Sequence, residues 1–316
     1  MFSINILMQH LNHLSYVIFL YVFLSLTAPE ACSGEDATIT DDEGNTITFS
    51  QPFKRIISLY PAHTENLATL GALDAIIGVS TSDTFPTSIE SKQKFSYRDN
   101  TEKFLAAEPD LILIRPMISR SQPELMAKLR QSGIVIVSLQ PTSVTAMFEY
   151  WHKLGMLCGQ RKNADKMEQQ FKESIEQVQG SIPQDMHSRP KVYFESIHRK
   201  MKTFSPDAIT IFALAAGGGV NIATDAVARN NSNIAPYGKE RLLSLGQDID
   251  IYLSQVGRMN RIQLDDIYKE PGFTLIKAVQ TKSVYLIEEE LVSRPTMRLL
   301  EGISKIQSIL YPQTTG

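Results

Sequence analysis

The longest periodic pattern in the chain lies between Gly159 and Pro183. Its apolar positions recur at intervals of three or four residues, and they are Ala164, Met167, Phe171, Ile175 and Val178. This spacing is typical of an amphipathic helix with a narrow apolar stripe. At a rise of about 1.5 Å per residue, about twenty residues form a rod of about 30 Å, which is the diameter of a small domain. The pattern therefore predicts a helix that can lie across two bodies.

Strand and helix patterns alternate in the segment before this helix. Residues 56–59 and 76–79 are mainly apolar runs of strand length, which are typical of strands buried in a parallel sheet. Between them, leucines recur at helical spacing. Pro61 interrupts the first run, Thr64 can cap the helix and Gly71 can end it. The segment predicts a strand, a helix and a second strand, which is the repeating unit of an α/β fold.

The same alternation resumes after the long helix. Further strands are predicted at residues 191–197, 249–253 and 284–287. The fold class is therefore α/β, with two lobes that each have a mainly parallel central sheet flanked by helices and that are joined by one long rigid α-helix. The predicted bounds are 37–158 for the N-terminal lobe, 159–183 for the linker helix and 184–316 for the C-terminal lobe.

The amino terminus carries a short apolar run at residues 16–26. Eleven residues are too few to span a bilayer, and small and turn-forming residues follow the run, so we expect a signal peptide over residues 1–32. No Lys or Arg precedes the run, which departs from the usual signal pattern. An uncleaved anchor and a later start at Met8 are the alternatives.

The chain has two cysteines, Cys32 and Cys158. A lipid anchor at Cys32 is not favoured, because Pro29 and Glu30 are poor residues to precede an acylated cysteine. If Cys32 is removed with the signal peptide, no internal disulfide and no cysteine-built metal site can form. Cys158 lies on the apolar side of a helical pattern, so we expect its thiol to be buried.

Composition and motifs exclude several classes of function. The chain of 316 residues has 43% apolar residues, a net charge of −3 and no block of Lys and Arg, which argues against a nucleic-acid-binding protein. It has no P-loop, no GxSxG motif and no nucleophile with a recognisable base. We therefore do not expect an enzyme, although an enzyme or redox protein built on the same two lobes is the alternative from another class.

Several segments, in their order and spacing, carry a family resemblance. They are the hairpin pattern at 37–49, the RIISL strand, the PxxTE turn, the LGALDAIIGV and FLAAEPDLILI runs, and SRPTMRLLEGI near the end. Together they resemble the periplasmic binding proteins of ABC importers that take up ferric siderophores, haem and cobalamin. The resemblance extends from about residue 38 to residue 311, and it is more specific for the family than for the ligand.

The resemblance implies a protein that binds its ligand in the cleft between the lobes and delivers it to the membrane subunits of an importer. The expected location is the periplasm or the outer face of the cytoplasmic membrane, and the expected state is a monomer. No cofactor is expected, and the ligand would be a metal chelate, with a ferric siderophore first, a corrinoid second and haem third. A chelate sensor or scavenger that works without an importer is a further alternative.

Ligands of open parallel sheets bind beyond the carboxyl ends of the strands, so the loops at those ends should line the cleft. Arg115 ends the LILI run and can pair bidentately with a carboxylate or catecholate oxygen. Arg258 has the same place in the other lobe, whereas Arg294 either contacts ligand or braces the acidic loop before it. The expected ligand-binding residues are Tyr60, His63, Tyr97, Arg115, His198, Arg258 and Arg294, and no metal bound directly to the protein is expected.

In members of the family that the chain resembles, arginines of the importer meet one glutamate from each lobe. The matching residues here are Glu102, in DNTEKFLAAEPDL, and Glu240, in GKERLLSLGQDID. Each stands at the start of a predicted helix that precedes a strand. A carboxylate is also favoured at a helix N-terminus for local reasons, worth about 0.3 to 1 kcal/mol, so helix capping alone is the competing explanation.

Overall fold

A computed structural model of the chain describes residues 36–183, 185–229 and 232–312. The predicted signal peptide and the possible lipid anchor at Cys32 lie outside the described residues. Within the described ranges, no helix is both long enough and apolar enough to cross a membrane.

The described chain begins with the predicted β-hairpin. Strand β1 (Ala37–Thr40) pairs antiparallel with β2 (Thr46–Phe49), and Gly44 in the turn has φ +84°, where a residue with a Cβ would be strained. The carboxylate of Asp41 accepts hydrogen bonds from the backbone of Asn45 in the turn and of Ser138 beyond it. The hairpin is thereby attached to the first lobe.

The first lobe is built on a parallel sheet of five strands in the order β5-β4-β3-β6-β7. The strands are β3 (Ile56–Ser58), β4 (Ile76–Ser80), β5 (Gln93–Phe95), β6 (Leu111–Ile114) and β7 (Val135–Ser138). The helices are α1 (Pro61–Thr69), α2 (Thr101–Ala106), α3 (Pro116–Ser121), α4 (Pro123–Gln131) and α5 (Val144–Leu157). All four residues of β6 are buried, as expected of a strand covered on both faces.

The start of α1 corrects one prediction. The helix begins at Pro61, and Tyr60 occupies the N-cap with extended φ and ψ of −144° and 128°. Proline suits the first helical position because its fixed φ is helical and its missing N–H has no partner there in any case. Thr64 therefore lies inside the helix, where its hydroxyl contacts Ser58 and Asp83 at 2.7 and 2.5 Å.

The long helix α6 runs from Arg161 to Gln179 and confirms the apolar stripe, since Ala164, Met167, Phe171 and Ile175 are buried. It packs against α5 of the first lobe and against α7 (Ile209–Ala216) and α12 (Leu299–Leu310) of the second. The ring centroid of Phe171 lies 5.5 Å from that of Trp151 in α5 and 6.4 Å from that of Phe212 in α7. One aromatic side chain of α6 thus contacts both lobes.

The second lobe has a mixed sheet in the order β11-β9-β8-β12-β13, with β10 paired to β8. The strands are β8 (Lys191–Ile197), β9 (Lys202–Phe204), β10 (Val220–Asn221), β11 (Ile234–Pro236), β12 (Ile251–Val256) and β13 (Val284–Glu288). Strands β8, β10, β12 and β13 run parallel, whereas β9 runs antiparallel to both β8 and β11. The predicted fold class is confirmed, and the antiparallel strand β9 is a feature that the sequence pattern did not reveal.

The remaining helices are short. In the second lobe they are α8 (Lys239–Ser244), α9 (Leu264–Tyr268), α10 (Lys277–Gln280) and α11 (Glu289–Val292). The 3₁₀ turns are Leu73–Ala75, Thr87–Ile89, Met186–Ser188, His198–Lys200, Gly246–Asp248 and Phe273–Leu275.

Cys158 follows the end of α5, and its thiol is buried, as predicted. Burial raises the pKa of this thiol to about 11, so it remains protonated and unreactive at neutral pH.

Candidate functional site

Two of the predicted ligand-binding residues come together at the carboxyl ends of β3 and β6. Tyr60 directly precedes α1 and Arg115 directly precedes α3, and the guanidinium carbon of Arg115 lies 4.3 Å from the centroid of the Tyr60 ring. Both side chains are half-buried, and Nε of Arg115 is buried without a hydrogen-bond partner. Burial raises the pKa of Tyr60, so its phenol remains protonated. The stacked pair offers a ligand two groups, the cationic guanidinium of Arg115 and the hydrogen-bond-donating hydroxyl of Tyr60.

His63 lies beneath this pair and is fully buried. Its Nε2 is 3.0 Å from the carbonyl oxygen of Ile114, and its Nδ1 is 2.7 Å from the hydroxyl of Tyr150. Because a carbonyl only accepts, Nε2 carries the proton and Nδ1 accepts from Tyr150. Neither nitrogen is free for a ligand or a metal, which corrects the expectation that His63 contacts ligand.

The buried His63 makes stability depend on pH. Burial lowers its pKa from 6.5 to about 3, so between these values only the unfolded state binds the proton. The neutral imidazole contributes its full share of the unfolding free energy above the pKa of the unfolded state. This share is lost as the pH falls towards the pKa of the folded state. We expect His63 to account for a loss of about 2 kcal/mol of unfolding free energy between about pH 7 and pH 5.

Urea denaturation of the parent protein and His63→Gln, each at pH 7 and pH 5, measures this contribution. The parent should lose about 2 kcal/mol more than the variant. Asp83, whose pKa is raised to about 6 by burial, has the opposite slope, but it is present in both proteins. Equal losses in the two proteins would contradict the assignment of a neutral buried imidazole.

Arg294 is held by the first lobe. Its Nη1 lies 2.6 Å from Oε1 of Glu65 in α1, and the two side chains are 11% and 2% exposed. Nη2 of Arg294 also lies 3.7 Å from Glu290 in α11. Burial raises the pKa of the Glu65 carboxyl, and the neighbouring arginines Arg294 and Arg298 oppose that shift. Of the two roles left open for Arg294, the structure favours bracing, and the brace extends across the lobes.

A second contact adjoins this ion pair. The carbonyl oxygen of Pro295 accepts hydrogen bonds of 2.9 Å from Nδ2 of Asn66 and from Nε1 of Trp151, and both donors are fully buried in the first lobe. We call Glu65, Asn66, Trp151, Arg294 and Pro295 the interlobe clasp. It fixes the turn before α12 against α1 and α5.

The other predicted ligand-binding residues are in different environments. Tyr97 is half-buried against the core of the first lobe, with the guanidinium of Arg98 5.5 Å from its ring centroid. Arg258 is exposed in the loop after β12. His198, expected at the rim, is buried at 6% exposure and bonded to Glu195. The structure therefore brings Tyr60 and Arg115 together, leaves Arg258 open to solvent and places His198 beneath the surface.

A cavity of about 930 Å³ opens between the lobes. Its lining comes from residues 142–145, 205–208 and 224–228, from Ile211, Phe212 and Ala215, and from Ser232 and Asn233. Hydroxyl and small apolar side chains dominate, and among the described residues that line it there is no Lys, Arg or His. None of the seven predicted ligand-binding residues belongs to this lining. Its volume is within the range of small-molecule sites, about 300–1,000 Å³.

The cavity lies beside the edge strands of the two sheets. Ser143, the N-cap of α5, follows β7, and its hydroxyl accepts from the backbone N–H of Ala146 at 3.2 Å. The opposite wall includes residues next to β9 and β11. Asp225 in this wall forms an ion pair with Arg241, whereas Asp207 has no ion pair among the described residues. The lining therefore offers hydroxyl groups that can donate or accept hydrogen bonds, carboxylate acceptors and apolar contacts.

Glu102 and Glu240 occupy equivalent places in the two lobes. Each is the second residue of a helix of six residues, α2 and α8, and each helix precedes a strand that neighbours the first strand of its sheet. Because such a helix runs back along the strand that follows it, its first turn lies at the carboxyl edge of the sheet. Both side chains are exposed, and neither has an ion pair within the described part of the chain.

Two features of the site were missed from the sequence. Glu195 lies fully buried in the middle of β8, and the signal for it was an acidic residue inside an apolar strand run. The first-lobe wall of the cavity includes Ser143, and the signal for it was a serine directly before a helical pattern. Neither signal specifies a ligand.

Comparisons with known proteins agree with this architecture. A family model described as periplasmic binding protein matches residues 56–291. The chain is 24% identical over 284 residues to an uncharacterized ABC transporter substrate-binding lipoprotein, YvrC, of Bacillus subtilis, with 88% of this chain and 86% of that protein covered. It is 26% identical over 265 residues to the vitamin B12-binding protein of Vibrio cholerae, with 82% and 90% covered.

A solved structure has the same fold. The crystal structure of a possible iron-binding (periplasmic solute-binding) protein from Staphylococcus epidermidis superposes with a TM-score of 0.72 at 26% identity. The match covers 83% of this chain and 100% of that one.

Proposed function

Because the chain belongs to the periplasmic binding protein family, we propose that it is the substrate-binding component of an ABC importer. It captures a metal chelate between its lobes outside the cytoplasmic membrane, and it delivers the chelate to the membrane subunits without catalysing a reaction. The paired glutamates carry this proposal. Glu102 and Glu240 are exposed at equivalent positions of the two lobes. Such positions are required of a protein that contacts an importer through both of its lobes.

The lining of the interlobe cavity supports a corrinoid as the ligand. An anionic ferric siderophore, which the sequence alone places first, needs cations, and the described lining has none and includes two aspartates. The amide groups around a corrin ring donate hydrogen bonds that hydroxyl and carboxylate oxygens can accept. The likeness to a vitamin B12-binding protein also supports this choice. Arg115 and Arg258 support the siderophore alternative, because both lie at carboxyl ends of strands and neither has an ion pair among the described residues.

Filling the cavity separates the two ligands. Ala215 is an exposed residue of α7 that lines the cavity, so Ala215→Trp should occupy ligand space without disturbing the core. We expect cyanocobalamin to bind the parent protein with 1:1 stoichiometry in calorimetric titrations, and the variant to bind at least about tenfold more weakly, a change of about 1.4 kcal/mol. Ala127→Trp, at an exposed position of α4 outside the cavity, is the matched control.

A different pattern would reassign the ligand. Binding of a ferric siderophore that weakens in Arg115→Ala, but not in Ala215→Trp, would place the ligand at the Tyr60 and Arg115 pair. Arg130→Ala is the control for that variant, because Arg130 is exposed near the end of α4, which precedes β7 and therefore ends at the opposite edge of the sheet. Absence of saturable binding across siderophores, haemin and cobalamins would contradict the proposed function itself.

A further inference from the structure

A buried histidine joins three segments at the carboxyl edge of the second sheet. His198 stands in the 3₁₀ turn after β8 and is 6% exposed. Its Nδ1 lies 2.8 Å from Oε1 of Glu195, and its Nε2 lies 3.6 Å from Oε2 of Glu270, which follows α9. Its backbone N–H donates to Oδ1 of Asn260 at 3.0 Å, in the loop after β12. One residue thus connects β8, the β12 loop and the segment after α9.

The buried carboxylate of Glu195 requires a charged partner, and His198 is that partner. This carboxylate is fully buried and accepts from the hydroxyls of Tyr252 and Ser254, each at 2.7 Å, as well as from His198. Hydrogen bonds satisfy the oxygens, but a buried charge also requires a counter-ion. His198 is the cationic group bonded to Glu195 in the described part of the chain. The ring of Phe273 stands edge-on to the imidazole with centroids 5.9 Å apart, which closes off solvent.

The network continues to the helix that carries Glu240. Oε1 of Glu270 forms an ion pair with Lys239, the first residue of α8, and Nζ of Lys239 also donates to the carbonyl of Pro271 at 3.1 Å. Glu240 is the next residue along the chain. A path of contacts therefore runs from Glu195 through His198 and Glu270 to the first turn of α8.

The two helices that carry the paired glutamates differ in how their first turns are held. Asn100 caps α2, and its side chain accepts from the N–H of Lys103 at 3.1 Å. Gly238 precedes α8 with φ +89° and provides no side-chain cap. A side-chain cap stabilises the first turn of a helix because it satisfies a backbone N–H that has no partner within the helix. Without one, the contacts of Lys239 with Glu270 and Pro271 anchor the first turn of α8.

We propose that His198 is a positioning residue that fixes α8, and with it Glu240, to the loops at the ligand side of the second lobe. The proposal rests on the proposed function, in which Glu240 meets the importer. His198 contacts neither ligand nor importer in this account. It holds Glu270 in place, and Glu270 holds Lys239.

The charge of His198 gives this link a pH dependence. Burial, the largest single influence, lowers its pKa, but the bond and charge of Glu195 and the charges of Glu270 and Asp266 together raise the pKa above its usual value of 6.5. Because the pKa is raised, the stability that charged His198 contributes is complete below the pKa of the unfolded state. It is lost as the pH rises through the pKa of the folded state. The link between His198 and α8 should therefore weaken as the pH rises above the usual histidine pKa of 6.5.

Hydrogen exchange of the purified protein tests the link without ligand or importer. In His198→Gln, we expect protection of residues 239–245 to fall by about tenfold, the equivalent of about one net hydrogen bond, while protection of residues 101–107 is unchanged. The second segment contains α2, which has the same length and its own cap. Glu270→Gln should have the same effect on α8 while it leaves the pair of His198 and Glu195 in place.

The outcomes separate this inference from the proposed function. Unchanged protection of residues 239–245 in His198→Gln would overturn the inference, whatever the result for Glu270→Gln, and would leave the importer assignment untouched. If His198→Gln does not fold, the pH dependence of the parent protein decides the matter, because Glu270 contacts Lys239 directly and Glu270→Gln does not test His198. In the parent, protection of 239–245 relative to 101–107, corrected for intrinsic exchange rates, should fall as pH rises above about 6.5. A constant ratio would overturn the inference as well.

Discussion

Arg294→Met is expected to lower the free energy of unfolding by about 3 kcal/mol, one of the largest effects of any single substitution in the chain. The substitution leaves Glu65 buried at 2% exposure without the guanidinium that lies 2.6 Å from it. Oε2 of Glu65 already has no hydrogen-bond partner in the described structure, and the other neighbouring cation, Nη1 of Arg298, lies 3.9 Å from Oε1, beyond hydrogen-bonding distance. Removal of one partner of a buried ion pair costs about 3 to 5 kcal/mol.

Urea denaturation measures the loss, and tryptophan fluorescence reports the clasp itself. Trp151 is the single tryptophan of the chain, and its Nε1 donates to Pro295 beside the ion pair. We expect a red shift of its emission in Arg294→Met under native conditions. The double variant Glu65→Leu with Arg294→Met should recover most of the stability, because an apolar pair leaves no unpaired charge. Arg130→Met is the exposed control. A loss below about 0.5 kcal/mol, typical of surface sites, would contradict the role of the clasp.

Reversal of both Glu102 and Glu240 to Arg is expected to abolish importer-dependent uptake while ligand binding remains unchanged. Both side chains are exposed, so the variant should fold, at a cost of about 0.3 to 1 kcal/mol per helix terminus. Arginines of an importer that meet two carboxylates would instead face two like charges, which costs several kcal/mol at an interface. Each single reversal should reduce uptake to an intermediate extent.

Uptake of labelled ligand by cells and calorimetric titration of the purified variant provide the two measurements. Glu176→Arg, at an exposed position in the last turn of α6, is the control for a charge reversal away from the proposed contact. Normal uptake by the double variant with intact ligand binding would favour the scavenger alternative. Local stabilisation of the two helices would then be sufficient to explain why a glutamate stands at each of these positions.

The features that the sequence predicted well are those that depend on local periodicity. The stripe of Ala164, Met167, Phe171 and Ile175 repeats over a whole helix, so α6 was predicted to within a few residues at each end. Strand β8 was predicted with its observed bounds. Its seven residues form a mainly apolar run with a charged residue at its start, and the run ends at a turn. The short strands β9, β10 and β11 were missed because they have only two or three residues.

The environment of the polar residues could not be predicted, because their partners are distant in sequence. His63 was expected in the cleft, but Ile114 and Tyr150, 51 and 87 positions away, take both its nitrogens. Arg294 and Glu65 are 229 positions apart, and nothing local indicates their pairing. Arg115 was placed correctly at a strand end because the apolar run of β6 stops there. Its ligand role remains a prediction.

A crystal structure of the protein with cyanocobalamin tests the central claim most directly. The account predicts one corrinoid between the lobes, in contact with residues 142–145 of the first lobe and with α7 of the second. The clasp of Glu65 and Arg294 should remain closed in the complex. A ligand bound outside the interlobe space, or crystals grown at saturating cobalamin with that space empty, would contradict the account.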